Sequence, residues 1–118
     1  MSLLPFRIDP HPSGMEPSTL TGADAFTTAD RTETNHTHFA TPDESLLVGT
    51  WECAPCREEI AAYPVHETMT VVSGRLRLTH ADGRVETLGP GDTFFIAKGT
   101  PVVWEITETL RKIYTIVA

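Results

Sequence analysis

One acidic residue stands out for the chemistry it can do. Glu67 follows Tyr63-Pro64-Val65-His66 and leads by seven positions into Gly74. Side chains alternate along an extended strand, so an inward Glu67 brings Val65, Met69 and Val71 onto its own face and turns His66 away. A carboxylate in such company loses its water and is costly unless donors or a cation meet it. Lys112, Tyr63 and Tyr114 are the available donors. Lys112, Tyr114 and Ile116 share one face of a final strand, opposite Arg111, Ile113, Thr115 and Val117. The first set is expected to face inward, because that brings Lys112 to Glu67. Val102, Trp104 and Ile106 make a third inward set.

These residues support two readings. Glu67 is a satisfied core carboxylate that holds the fold together. Alternatively it is a base or substrate anchor tuned by its burial, with Lys112 and Tyr63 as its catalytic companions. Trp51, Met69, Trp104 and Tyr114 are then the ligand-binding candidates. The tryptophans are large apolar bodies with one donor each, and Met69 is a flexible gap-filler, so all three also suit plain core packing.

Two other motifs are weaker. Cys53 and Cys56 form a Cys-x-x-Cys, but no second ligand pair follows at zinc spacing. The context is a strand end and a proline turn rather than the helix start of a redox motif, so two reduced thiols are expected. His36-Thr37-His38 puts two imidazoles at alternate positions of a polar stretch. Surface histidines in a polar loop are the expectation.

The elements that position these residues read as strands. Leu46 to Glu52, Thr68 to Val72, Arg75 to Thr79, Val85 to Leu88, Thr93 to Ile96, Pro101 to Ile106 and Lys112 to Val117 are short and split by Gly and Pro. Asp82-Gly83 marks a hairpin, and Gly89-Pro90-Gly91-Asp92 a tight turn. Glu58 to Ala62 has the propensity of a helical turn. The pattern implies an all-β barrel or sandwich.

Residues 1–42 differ. Pro5, Pro10, Pro12 and Pro17 exclude a helix, and Phe6, Leu20, Phe26 and Phe39 are isolated apolar anchors. This segment reads as an N-terminal arm, extended over the barrel or partly disordered, with the barrel domain at 43–118. The 118 residues amount to one domain, with 40% apolar and 21% charged residues. A net charge of -7 argues against nucleic acid and anionic membranes as partners. No apolar run reaches a membrane span. The start, Met1 to Arg7, lacks a basic lead and a long apolar segment. A cytoplasmic location is expected.

From Gly49 to Ala118 the chain resembles the small single-domain cupins grouped with (S)-ureidoglycine aminohydrolase and the ethanolamine-utilisation cupin. The resemblance rests on Gly49-x-Trp51-Glu52-Cys53-x-Pro55, Tyr63-Pro64-x-His66-Glu67, Ser73-Gly74, Gly89-Pro90-Gly91-Asp92, Gly99, Trp104-Glu105 and Arg111-Lys112-x-Tyr114. It implies a cupin jelly-roll barrel, a homodimer and a small-molecule pocket inside the barrel. Metal cupins place two histidines before the motif glutamate and a third in the second motif. Here those places hold Ile60 and Ala62, or Ala61 and Tyr63, and then Val102. The standard metal set is absent, so the reaction of the metal-binding aminohydrolases does not carry over. The function expected is a small-molecule-binding cupin, acting on a small polar nitrogen-containing or carboxylated metabolite with Glu67 at the centre. A non-catalytic binding or regulatory cupin is the alternative. A third reading is a metal-dependent enzyme with non-standard ligands such as Glu67 with His66.

Overall fold

The computed structural model describes residues 3–118. The first two positions of the N-terminal segment, Met1 and Ser2, lie outside the described residues. Eight strands follow in order: β1 (Glu16–Pro17), β2 (Glu33–Ala40), β3 (Leu46–Cys53), β4 (Cys56–Ile60), β5 (His66–His80), β6 (Val85–Leu88), β7 (Thr93–Ile96) and β8 (Val102–Val117). One short 3-10 turn, Ala23–Ala25, precedes β2. All pairings are antiparallel, in the order β1-β2-β3-β8-β5-β6, with β4 also on β8 and β7 also on β5. The fold is the expected all-β jelly-roll barrel.

Two long strands organise it. The sequence reads 68–72 and 75–79 as separate strands, and likewise 101–106 and 112–117. The structure runs each pair together as β5 and β8. The join in β5 is a bend: Gly74 has φ 89° and the register slips between Val71 and Leu76. A side chain at Gly74 would collide with the Thr109 carbonyl, so the left-handed backbone and the close approach both call for glycine. The bend lets β8 pair with β3 along one half and with β4 along the other, while β5 accompanies both halves.

Residues 56–60 are a strand, not a helical turn. Their register, from Cys56 opposite Ile106 to Ile60 opposite Val102, satisfies backbone groups that one short turn would leave open, so tertiary pairing overrides local propensity. The N-terminal segment also joins the sheet. Its residues 33–40 are β2, paired along β3 from Glu33 opposite Cys53 to Ala40 opposite Leu47. Of the four proposed anchors in that segment, Phe26 packs on the core, while Phe6, Leu20 and Phe39 are exposed. His36 and His38 sit on β2 and are half-buried rather than in a surface loop. Nδ1 of His36 lies 3.0 Å from the Gly14 carbonyl, and Nε2 of His38 lies 2.8 Å from the Thr50 hydroxyl.

The core packs Leu76, Leu78, Ile106 and Leu110 together with Trp51, Trp104 and Tyr114, with Leu76 opposite Ile106 and Leu78 opposite Trp104. The three inward sets expected from alternation all face the interior: Val65, Glu67, Met69 and Val71; Val102, Trp104 and Ile106; Lys112, Tyr114 and Ile116. Phe94 packs on the core and Phe95 is exposed. His66 points outward and stacks on Phe95 with ring centroids 6.2 Å apart. Both cysteines are fully buried free thiols where β3 turns into β4.

Candidate functional site

A cavity of about 1120 Å³ lies between the barrel and the N-terminal segment, and Glu67 stands on its wall. Glu67 sits on β5 between β7 and β8, opposite Ile96 and Ile116. Its carboxylate is doubly held. Tyr63 Oη donates to Oε1 at 2.7 Å, and Lys112 Nζ donates to Oε2 at 2.7 Å. Burial and the adjacent Glu67 carboxylate push the Tyr63 phenol well above its ordinary value, so it stays a neutral donor. Lys112 arrives from β8, two residues beyond the buried Leu110 and two before Tyr114.

The ammonium of Lys112 also meets a sulfur and three ring faces. It lies 3.2 Å from the Met69 sulfur, 4.7 Å from the Trp51 ring centre, 4.9 Å from that of Trp104 and 5.8 Å from that of Tyr114. The two indoles meet edge-on at 6.4 Å. Ring faces attract a cation, so the cage and the carboxylate act together on one charge. The structure therefore brings all seven sequence-derived candidates into one cluster around Lys112 and Glu67. Two details differ from expectation. Tyr114 does not serve Glu67; burial raises its phenol and its hydroxyl donates to Asn35 Oδ1 at 2.6 Å. Met69 is sealed beneath the ion pair and is not on the cavity wall.

Three polar residues of the site were not singled out by sequence reasoning. Glu33 on β2 is buried and accepts from the Trp51 indole at 3.0 Å, the Ser18 hydroxyl at 2.7 Å, and the Leu20 and Thr21 amides at 3.1 and 2.9 Å. Burial opposes its ionisation, but the hydrogen bonds led by Ser18, Thr21 and Trp51 outweigh it and hold the carboxyl below its ordinary range. Glu33 thereby pins residues 18–21, which form one wall of the cavity, to the edge of Trp51. Asn35, two residues on, receives the Tyr114 hydroxyl. Glu58 on β4 projects into the cavity on the same face as Cys56 and Ile60, and burial with the nearby Glu33 charge pushes its carboxyl upward. Reading 56–60 as a strand would have exposed Glu58 by alternation. Glu33 carried no such signal, since its partners lie 12 to 18 residues away.

The metal positions of the resemblance can now be tested on geometry. Ala61 and Ala62 are exposed, Ile60 and Val102 are apolar, and Tyr63 already serves Glu67. An ion at Glu67 would meet the Lys112 charge, which takes the place of a cation 2.7 Å from the carboxylate. Among the described residues no three His, Cys, Asp or Glu side chains converge as a metal cluster. His66 faces away and accepts from the Lys98 amide at 3.1 Å, so it is no partner for Glu67. The residues present do not fit a divalent metal at this site.

An antiparallel jelly roll with its motif glutamate aimed into an internal cavity is a cupin. Residues 40–114 match the EutQ-like cupin domain, and the chain belongs to that family. Among solved structures, a protein of unknown function of the DUF861 family from Pseudomonas syringae superposes with a TM-score of 0.82 at 25% identity. The match covers 93% of this chain and 46% of that one, so the chain spans just under half of the Pseudomonas protein. A putative ethanolamine utilization protein Q from Salmonella typhimurium shares the fold at 20% identity, TM-score 0.63, over 89% of this chain and 98% of that one. So does the polyketide cyclase RemF from Streptomyces resistomycificus, at 20% identity, TM-score 0.63, over 97% and 80% of the two chains. No curated protein matches the chain. Among the described residues no helix is long and apolar enough to cross a membrane.

Proposed function

We propose that this cupin binds a small polar metabolite in the barrel cavity without a metal, and that Glu67, Lys112 and Tyr63 act on it directly. The observation that carries the reading is the ammonium of Lys112 held 2.7 Å from Glu67 on the wall of a large cavity. Glu67 and Lys112 are 5% and 8% exposed, yet both line the cavity. Two of the three ammonium hydrogens have acceptors in Glu67 and Met69, and a carboxylate or carbonyl of a ligand would approach Lys112 from the cavity side. Glu58, which also lines the cavity, suits a nitrogen-bearing group. Trp51, Trp104 and Tyr114 give the lining aromatic surface beside these polar groups.

The test is a thermal-shift screen of small carboxylates, amines and amides against wild type and Lys112→Met. Ligands of this site raise the wild-type Tm with the logarithm of their concentration above Kd and lose their effect in the variant. Equal shifts in both proteins would overturn the assignment. The (S)-ureidoglycine aminohydrolase likeness enters only as a hint of a small nitrogenous ligand. A cytoplasmic location belongs to the same proposal and is supported by the two unpaired thiols. So does a homodimer, supported by the exposed Phe95 and the apolar run Leu3, Leu4 and Phe6; sedimentation velocity decides it.

A further inference from the structure

The chain has two lysines and seven arginines, and their placement is uneven. Arginines 57, 75, 84 and 111 carry surface or half-buried ion pairs. Among the described residues the one buried cation is Lys112, and the other lysine, Lys98, is exposed in the loop after β7. A purely structural interior pair is better served by guanidinium, which stays charged and forks across both carboxylate oxygens. Here the second oxygen is given to Tyr63 instead. Lysine is the cation that can surrender a proton and become a nucleophile, and an acceptor for that proton lies 2.7 Å away.

We propose that Lys112 captures a small aldehyde or ketone in the cavity as an imine on Nζ, with Glu67 as the proton carrier. The inference rests on the cavity being the ligand site proposed above. Glu67 first takes one proton from the ammonium, leaving an amine beside a carboxylic acid. The nitrogen lone pair forms the N–C bond while the carbonyl π bond breaks onto oxygen, which takes an amine proton and becomes the carbinolamine hydroxyl. Glu67 then returns its proton to that hydroxyl, the C–O bond breaks, water leaves, and the nitrogen lone pair closes the C=N bond. One ammonium and one carbonyl compound give one iminium and one water, with no change in oxidation level.

The surroundings suit both ends of this step. The iminium keeps the positive charge of the ammonium, so the Glu67 carboxylate and the ring faces of Trp51 and Trp104 hold product as they hold reactant. Tyr63 fixes Oε1 and leaves Oε2 to move the proton. The new carbon substituent extends into the cavity, where Ile60, Val65 and Ile116 give an apolar lining.

The experiment is reductive trapping on the intact folded chain. Propanal, and separately acetone, is added with cyanoborohydride near neutral pH, and the adduct is located by intact mass and peptide mapping. The expected result is an alkyl group on Lys112, acquired at least about tenfold faster than on Lys98, because the cavity holds the carbonyl compound beside Nζ. Modification of Lys98 and the α-amine with Lys112 untouched overturns the proposal. Glu67→Gln, which cannot accept the proton, slows labelling of Lys112 and leaves Lys98 unchanged. Should that variant fail to fold, the wild-type peptide map decides alone. A non-carbonyl ligand from the thermal-shift screen separates the two ideas. If it binds wild type but not Lys112→Met while trapping fails, only carbonyl capture falls. If it also shows no effect, both fall.

Discussion

Replacing Lys112 with methionine tests the centre of the barrel. The substitution keeps an unbranched side chain but leaves Glu67 without its counter-ion, and the two side chains are only 8% and 5% exposed. Breaking one side of a buried pair costs roughly 3–5 kcal/mol. The adjoining cavity lets water approach Glu67, which puts the expected loss near the lower end, about 3 kcal/mol. At about 2.1 cal/mol/K per residue for a chain of this length, that lowers Tm by about 12 °C. Calorimetry or urea melts on wild type, Lys112→Met and the double variant Lys112→Met/Glu67→Gln supply the numbers. Glutamine keeps an acceptor for Tyr63 and removes the stranded charge, so the double variant should recover at least about half of the loss. Lys98→Met is the control, expected within about 0.5 kcal/mol of wild type. If Lys112→Met costs no more than the control, or the double variant is worse than the single, the interior ion pair does not hold as argued.

Four other outcomes are expected. Glu33→Gln loses charge-assisted hydrogen bonds and should cost about 2 kcal/mol at neutral pH. Because the Glu33 carboxyl is depressed, its contribution is intact above the ordinary value of 4.5 and fades as pH falls below it, so the two proteins should converge in acid melts. Glu58 has the opposite sign: its raised carboxyl makes folding less favourable as pH rises from 4.5 through its elevated value, so Glu58→Gln should gain stability at neutral pH and none in acid. Gly49→Ala would push a methyl into the Tyr114 hydroxyl and to 2.7 Å from the His36 carbonyl, so it should cost about 1–3 kcal/mol and weaken cavity ligands by displacing Tyr114. Cys53 and Cys56, with no exposed surface, should resist iodoacetamide in the native protein and react together on unfolding, as mass spectrometry will show.

Alternation made the interior legible. The sequence places Glu67, Trp104 and Lys112 on inward faces, and chemistry alone pairs the acid with the amine. Boundaries were harder. Nothing in Ser73-Gly74 says that the chain bends and continues rather than ends, because the Thr109 carbonyl that demands the glycine comes from another strand. Residues 56–60 carry Arg57, Glu58 and Glu59, a local preference that only pairing with β8 overrides. β2 lacks an apolar face because its inward positions are Glu33 and Asn35, whose partners are an indole and a phenol. A polar strand that serves aromatic donors looks like loop until those donors are placed.

The shared strand β8 has a consequence for biosynthesis. Strands β3, β4 and β5 all precede it in the chain, and each leaves one edge for β8 to fill, while β3 has β2 on its other edge and β5 has β6 and β7. As the polypeptide emerges from the ribosome, three strands wait with an open hydrogen-bonding edge, and the aromatic cage is unformed because Trp104, Lys112 and Tyr114 are all on β8. Such nascent states are prone to stick to one another. The domain thus depends on β8 to close its open edges as well as for its interior charge. Its nascent form is a natural client for chaperones that shield unpaired edges.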